Sequence, residues 1–109
     1  MTPSTAIRSL DRQLSLHGST LVLKRGDNQT PSATVTVKGY QTSLRPEKFV
    51  GSSKQGDSMI VLSPTGLGAY GEPLEDEWAV FGGRTLSVYF VRRKLVANTL
   101  VRIELLVRG

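Results

Sequence analysis

Between Val101 and Arg108 the side chains alternate: Val101, Ile103, Leu105 and Val107 fall on one side of an extended chain, and Arg102, Glu104, Leu106 and Arg108 on the other. A period of two is the signature of a half-buried β-strand, because successive Cβ atoms leave opposite faces of the pleated backbone. The same period recurs upstream. Leu21 and Leu23 alternate with Val22 and Lys24, and Ala33, Val35 and Val37 with Thr34, Thr36 and Lys38; Leu86, Val88 and Phe90 are expected to share one face. Met59-Ile60-Val61-Leu62 is unbroken, the pattern of a strand covered on both faces.

Turn chemistry punctuates these runs. Arg25-Gly26-Asp27-Asn28 is turn-forming, and its first three residues match an adhesion tripeptide only where a hairpin should turn. Gly82-Gly83 can accept the positive φ of a two-residue hairpin turn, and Leu95–Asn98 is short enough to close a second hairpin. Strands are thus expected at 19–25, 33–44, 57–63, 78–81, 84–94 and 99–108. Residues 45–56 read as a long exposed loop, and 63–73 as a glycine-rich connection. Before the strands, Ile7, Leu10 and Leu14 follow a helical spacing over residues 3–16, with Ser4 or Thr5 as N-cap and Gly18 as a left-handed C-cap. The apolar stripe is narrow, so the helix must dock on its own sheet or on a neighbour.

The fold expected is therefore mainly β: a small antiparallel barrel or sandwich of about six strands with one short N-terminal helix and long loops. At 109 residues the chain makes a single domain over 1–109. It has no cysteine, which removes disulfides, thiolate zinc sites and a cysteine nucleophile, and leans towards folding inside a cell. No apolar run approaches the ~20 residues that span a bilayer, and the first residues lack a signal-peptide pattern, so no membrane role is expected.

Charge is unevenly spread. Residues 1–83 carry as many acids as bases, so the whole net charge of +5 lies in residues 84–109, where six bases face Glu104 alone. Just before them stand Glu72, Glu75, Asp76 and Glu77. Segregated charge of both signs suits docking in a fixed orientation at least as well as polyanion binding.

Candidate chemistry is thin. His17, the only histidine, sits beside a glycine at a helix end and reads as a surface or capping residue. The run 72–77 lacks the spacing of a calcium loop and reads as a solvated connection or docking face. The glycines at 66, 68, 82 and 83 have no phosphate-loop spacing. Arg92-Arg93-Lys94 offers phosphate contact or a charged hairpin end. Tyr89 and Phe90, being adjacent, should face opposite ways, which argues against a base-stacking platform. No enzyme activity and no cofactor or metal are expected.

The order of elements carries a further pointer. A short helix, a strand pair, a polar segment closing on Lys54-Gln55-Gly56-Asp57 and the buried strand Ser58–Ser63 come first. Asp76-Glu77-Trp78-Ala79-Val80-Phe81-Gly82-Gly83-Arg84 and the terminal Arg102–Gly109 follow. Over nearly the whole chain this arrangement resembles the head–tail connector proteins of tailed bacteriophages, specifically the stopper, or head-completion, family. The resemblance implies a structural virion protein of the neck, assembled in the host cytoplasm as a homo-oligomeric ring of roughly six or twelve copies. Such a ring sits between an adaptor on the portal side and the tail terminator or tail tube. It continues the channel for double-stranded DNA and retains the packaged genome. By position it would place Arg45, Lys48 and Lys54 near DNA phosphates, without sequence specificity. Partner docking would fall to Ile7, Leu10 and Leu14 on the helix, and to Glu72, Glu75, Asp76, Glu77, Arg92, Arg93 and Lys94. Other readings are a tail-completion protein at the top of the tail tube, and a small SH3- or OB-like nucleic-acid-binding module.

Overall fold

The computed structural model describes residues 2–26, 29–43 and 58–108. Helix α1 (Pro3–His17) leads into six strands: β1 (Ser19–Gly26), β2 (Pro31–Ser43), β3 (Ser58–Leu62), β4 (Trp78–Phe81), β5 (Arg84–Val96) and β6 (Thr99–Arg108). All pair antiparallel, and the order β1-β2-β3-β6-β5-β4 closes on itself. Of the two architectures open to the sequence, the chain adopts the barrel. Among the described residues no helix is long and apolar enough to cross a membrane.

The alternation becomes an inside and an outside. Leu21 and Leu23 of β1, Ile60 and Leu62 of β3, Leu86 and Val88 of β5, and Ile103, Leu105 and Val107 of β6 fill the interior. Each such side chain contributes about 1.5–3 kcal/mol by leaving water. Gly39 keeps β2 close to this core: a Cβ there would stand 3.0 Å from Ile60 Cγ2 and 3.1 Å from Leu21 Cδ2.

The unbroken run of β3 has a direct cause. Ile60 and Leu62 point inward, while Met59 and Val61 lie under Leu10 and Leu14 of α1 on the outer wall. The helix thus docks on its own barrel. Its cap is Thr2 rather than Ser4 or Thr5: the Thr2 hydroxyl accepts from the Thr5 N–H at 3.2 Å, and Pro3 occupies the first turn, where its missing N–H costs nothing. Gly18 is extended (φ −82°) rather than left-handed. It is small for a different reason, since a Cβ would come within 2.5 Å of the Leu14 carbonyl oxygen.

Gly82 and Gly83 (φ 60° and 78°) turn the β4–β5 hairpin as expected. The β5–β6 turn is tighter than its sequence suggests. β5 continues to Val96, and Ala97 and Asn98 take the positive φ values of 51° and 64°.

Within β5 a bulge at Tyr89 resets the alternation, since Val88 faces Val107 but Phe90 faces Leu106. Phe90 therefore leaves the face of Leu86 and Val88, and Val91 packs on the core in its place. Tyr89 does not oppose Phe90: its ring lies 4.1 Å from the guanidinium of Arg108, an outward residue of β6.

The glycine-rich connection between β3 and β4 is part of the core. A 3-10 turn at Gly68–Tyr70 helps place Leu67 and Tyr70 among the barrel side chains, and Pro73 is fully buried. Further on, the Asp76 N–H donates to the Val88 carbonyl and the Val88 N–H to the Glu77 carbonyl. Equally far along both chains in the opposite sense, Arg93 meets Glu72. The connection thereby pairs with the edge of β5 at Val88, just beyond its pairing with β4, where an open edge would otherwise invite other strands.

Candidate interaction site

The predicted channel residues Arg45, Lys48 and Lys54, with the loop 45–56, lie outside the described residues. On the helix, Leu10 and Leu14 are buried against β3 and Ile7 is half-buried, so two of the three are used inside the chain.

The acidic run is divided by burial. Glu75 and Asp76 are exposed. Glu72 pairs with Arg93 at 2.6 Å, joining within the chain two residues expected to dock a partner. Glu77 departs furthest from a solvated connection, with 4% of its surface exposed. Its Oε1 accepts from the Tyr70 hydroxyl at 2.6 Å and its Oε2 from Arg25 Nε at 2.7 Å. Arg25 also donates to the Glu72 carbonyl at 3.0 Å, and its guanidinium lies 4.3 Å from the Tyr70 ring centre. Burial, then the bond to Glu77, pushes the Tyr70 hydroxyl pKa well above its usual value, and the bond to Glu77 raises that of Arg25. Every member is bonded within the chain. This cluster is a staple.

A second buried carboxylate lies on the outer wall. Glu104, also 4% exposed, faces Arg92 across the β5–β6 ladder at 3.3 Å and Arg102 along its own strand at 3.0 Å. Both contacts are ionic in range, yet Glu104 Oε1 and Arg102 Nε form no hydrogen bond. Lys94 stands directly opposite Arg102 in the register. Among the described residues no carboxylate pairs with Lys94. Two arginines therefore share one carboxylate while Lys94 faces one of them, and like charges opposed across a ladder repel.

Arg102 also forms one wall of an open groove of about 720 Å³ beside α1. Leu10, Leu14 and Val61 make its floor. Gln13, His17 and Tyr40 complete its rim, Tyr40 being 48% exposed despite its size. The groove is apolar below and cationic to one side, and its helical residues recur at the spacing of a single helix face. Among the described residues no group of three His, Asp or Glu side chains is placed to hold a metal ion.

Several of these residues escape a reading of the sequence. Tyr40 reads as a strand or loop residue, and Arg102 and Glu104 as ordinary outward charges. One signal was present: Leu106 shares their outward parity and yet is fully buried, so that stretch of wall is covered. No family model matches the chain, and no curated protein or solved structure does so either.

Proposed function

We propose that the chain is a structural assembly part, a ring-forming stopper at the head–tail junction of a tailed phage. The reading is supported by one observation above the others: a closed six-stranded barrel with a short helix laid across its outer wall, in the element order that the sequence resemblance requires. A closed barrel has few free edges, so neighbours must be met through side chains rather than by adding strands. Leu16, Tyr40, Leu74 and Leu95, all about half exposed or more, supply apolar contacts of that kind.

In this proposal the barrels stand around a central channel for double-stranded DNA. The resemblance assigns the channel lining to residues 41–56, with Arg45, Lys48 and Lys54; of these, 41–43 belong to β2 and the others lie outside the described residues. The helix side and the cationic outer wall meet the adaptor above and the tail below. The role is mechanical and electrostatic, without a reaction.

The test is genetic and structural together. Removing the gene from the phage that encodes the chain should leave DNA-filled heads that fail to join tails and leak their genome. Cryo-microscopy of intact particles should place a ring of this barrel at the neck. Tailed, infectious particles formed without the chain would overturn the proposal.

A further inference from the structure

We infer that the groove between α1 and the outer faces of β2, β3 and β6 binds an acidic segment of a protein partner, anchored by an apolar side chain. The inference rests on reading the chain as an assembly part, and not on its place in a phage.

Charge complementarity selects the occupant. Arg92 and Arg102 share the single carboxylate of Glu104, and Lys94 stands opposite Arg102, leaving positive charge uncompensated at one wall. Arg102 is the member that reaches the groove, and its Nε, buried, makes no hydrogen bond. A guanidinium carries five donors, so Arg102 can hold Glu104 and still receive a second carboxylate. That carboxylate would also relieve the repulsion between Lys94 and Arg102.

The floor decides between classes of partner. Leu10, Leu14 and Val61 offer an apolar trough, with Tyr40 standing at its rim. A phosphate backbone has nothing to place on such a floor. A peptide carrying Leu or an aromatic residue beside Glu or Asp fills both parts at once, which is the usual division between anchor and orienting charge. Gln13 and His17, from successive turns of α1, can hydrogen-bond the backbone of an extended segment.

The probe is an acetylated octapeptide of alternating Glu and Leu, with a Gln and Leu peptide as control, titrated into the isotope-labelled full chain. Amide shifts should cluster at Gln13, His17, Tyr40, Val61 and Arg102. The neutral peptide should bind about tenfold more weakly. Arg102→Gln should weaken the acidic peptide about tenfold. Because that change also disturbs Glu104, Gln13→Glu serves as a second variant: it places a negative charge at the rim of the groove from an exposed helix position and should weaken binding similarly without lowering thermal stability. Equal affinity for both peptides, or shifts away from the groove, would overturn the inference. So would the same shifts on concentrating the chain alone, which would make a second copy the occupant. Stronger, salt-sensitive shifts of these residues with a short DNA duplex would assign the surface to nucleic acid instead.

Discussion

Glu77 and Glu104 are buried to the same degree and both face arginine, yet they are held in different ways. Glu77 has each oxygen bonded, one by Tyr70 and one by Arg25, from separate parts of the chain. Its backbone is fixed as well, through the pairing with Val88. Glu104 sits on β6 and is reached by two long side chains from the same outer wall, while its Oε1 and the Arg102 Nε make no hydrogen bond. A carboxylate tied at both oxygens fastens elements together. One shared among surplus cations leaves a surface with unmet charge, and that is where a partner can act.

The largest effect is expected at Glu77. Glu77→Ala strands the Tyr70 hydroxyl and Arg25 and should cost about 3 kcal/mol, at the low end for a buried pair because Arg25 is a third exposed. Urea unfolding measures it; a loss below about 1 kcal/mol would remove the distinction between staple and surface. Tyr70→Phe, which deletes one bond and leaves the ring, should cost about 1–2 kcal/mol at neutral pH.

Tyr70 also makes the stability of the staple depend on pH. Its folded pKa lies above the ordinary 10.0, so from about pH 10 the folded state holds a proton that the unfolded chain releases. Stability contributed by the protonated hydroxyl is therefore complete below that pH and is lost as pH rises further. Tyr70→Phe should flatten this part of the alkaline unfolding curve. An unchanged slope would count against the buried hydroxyl.

Smaller effects are expected on the outer wall. Glu104→Gln should cost less than about 1 kcal/mol, since it keeps the side-chain shape and Glu104 Oε1 and Arg102 Nε have no hydrogen bond to lose. A cost matching that of Glu77→Ala would erase the contrast. Lys94→Glu should stabilise by roughly 0.5 kcal/mol by replacing a like-charge pair across the ladder with an opposite one. The gain should fade in high salt, and a gain that persists there would point to a cause other than charge.

The strands were legible because alternation is a local property of extended backbone. β6 reads from its own residues, and so does the double coverage of β3, whose unbroken apolar run needs apolar partners on both faces. Gly82-Gly83 announced its turn, since two positive φ values ask for residues without a Cβ. The helix was visible too, though its cap was misplaced because Ser4 and Thr5 are as suitable by type as Thr2, and only the hydroxyl's geometry separates them. The candidate groove was far less legible. Gln13, Tyr40, Val61 and Arg102 come from four elements that nothing in the sequence brings together.

The pattern of side chains by itself determined that this protein is a small β structure with one helix, and which face of most strands turns inward. Closure of the barrel, the burial of Glu77 and the pairing of Arg92 with Glu104 were decided by the tertiary structure. The bulge at Tyr89 shows why: one unpaired residue reverses the parity of everything after it, and places Arg92, rather than Val91, opposite Glu104. Periodicity records which residues prefer water, whereas register depends on what the neighbouring strand offers, and that neighbour is chosen only when the chain closes.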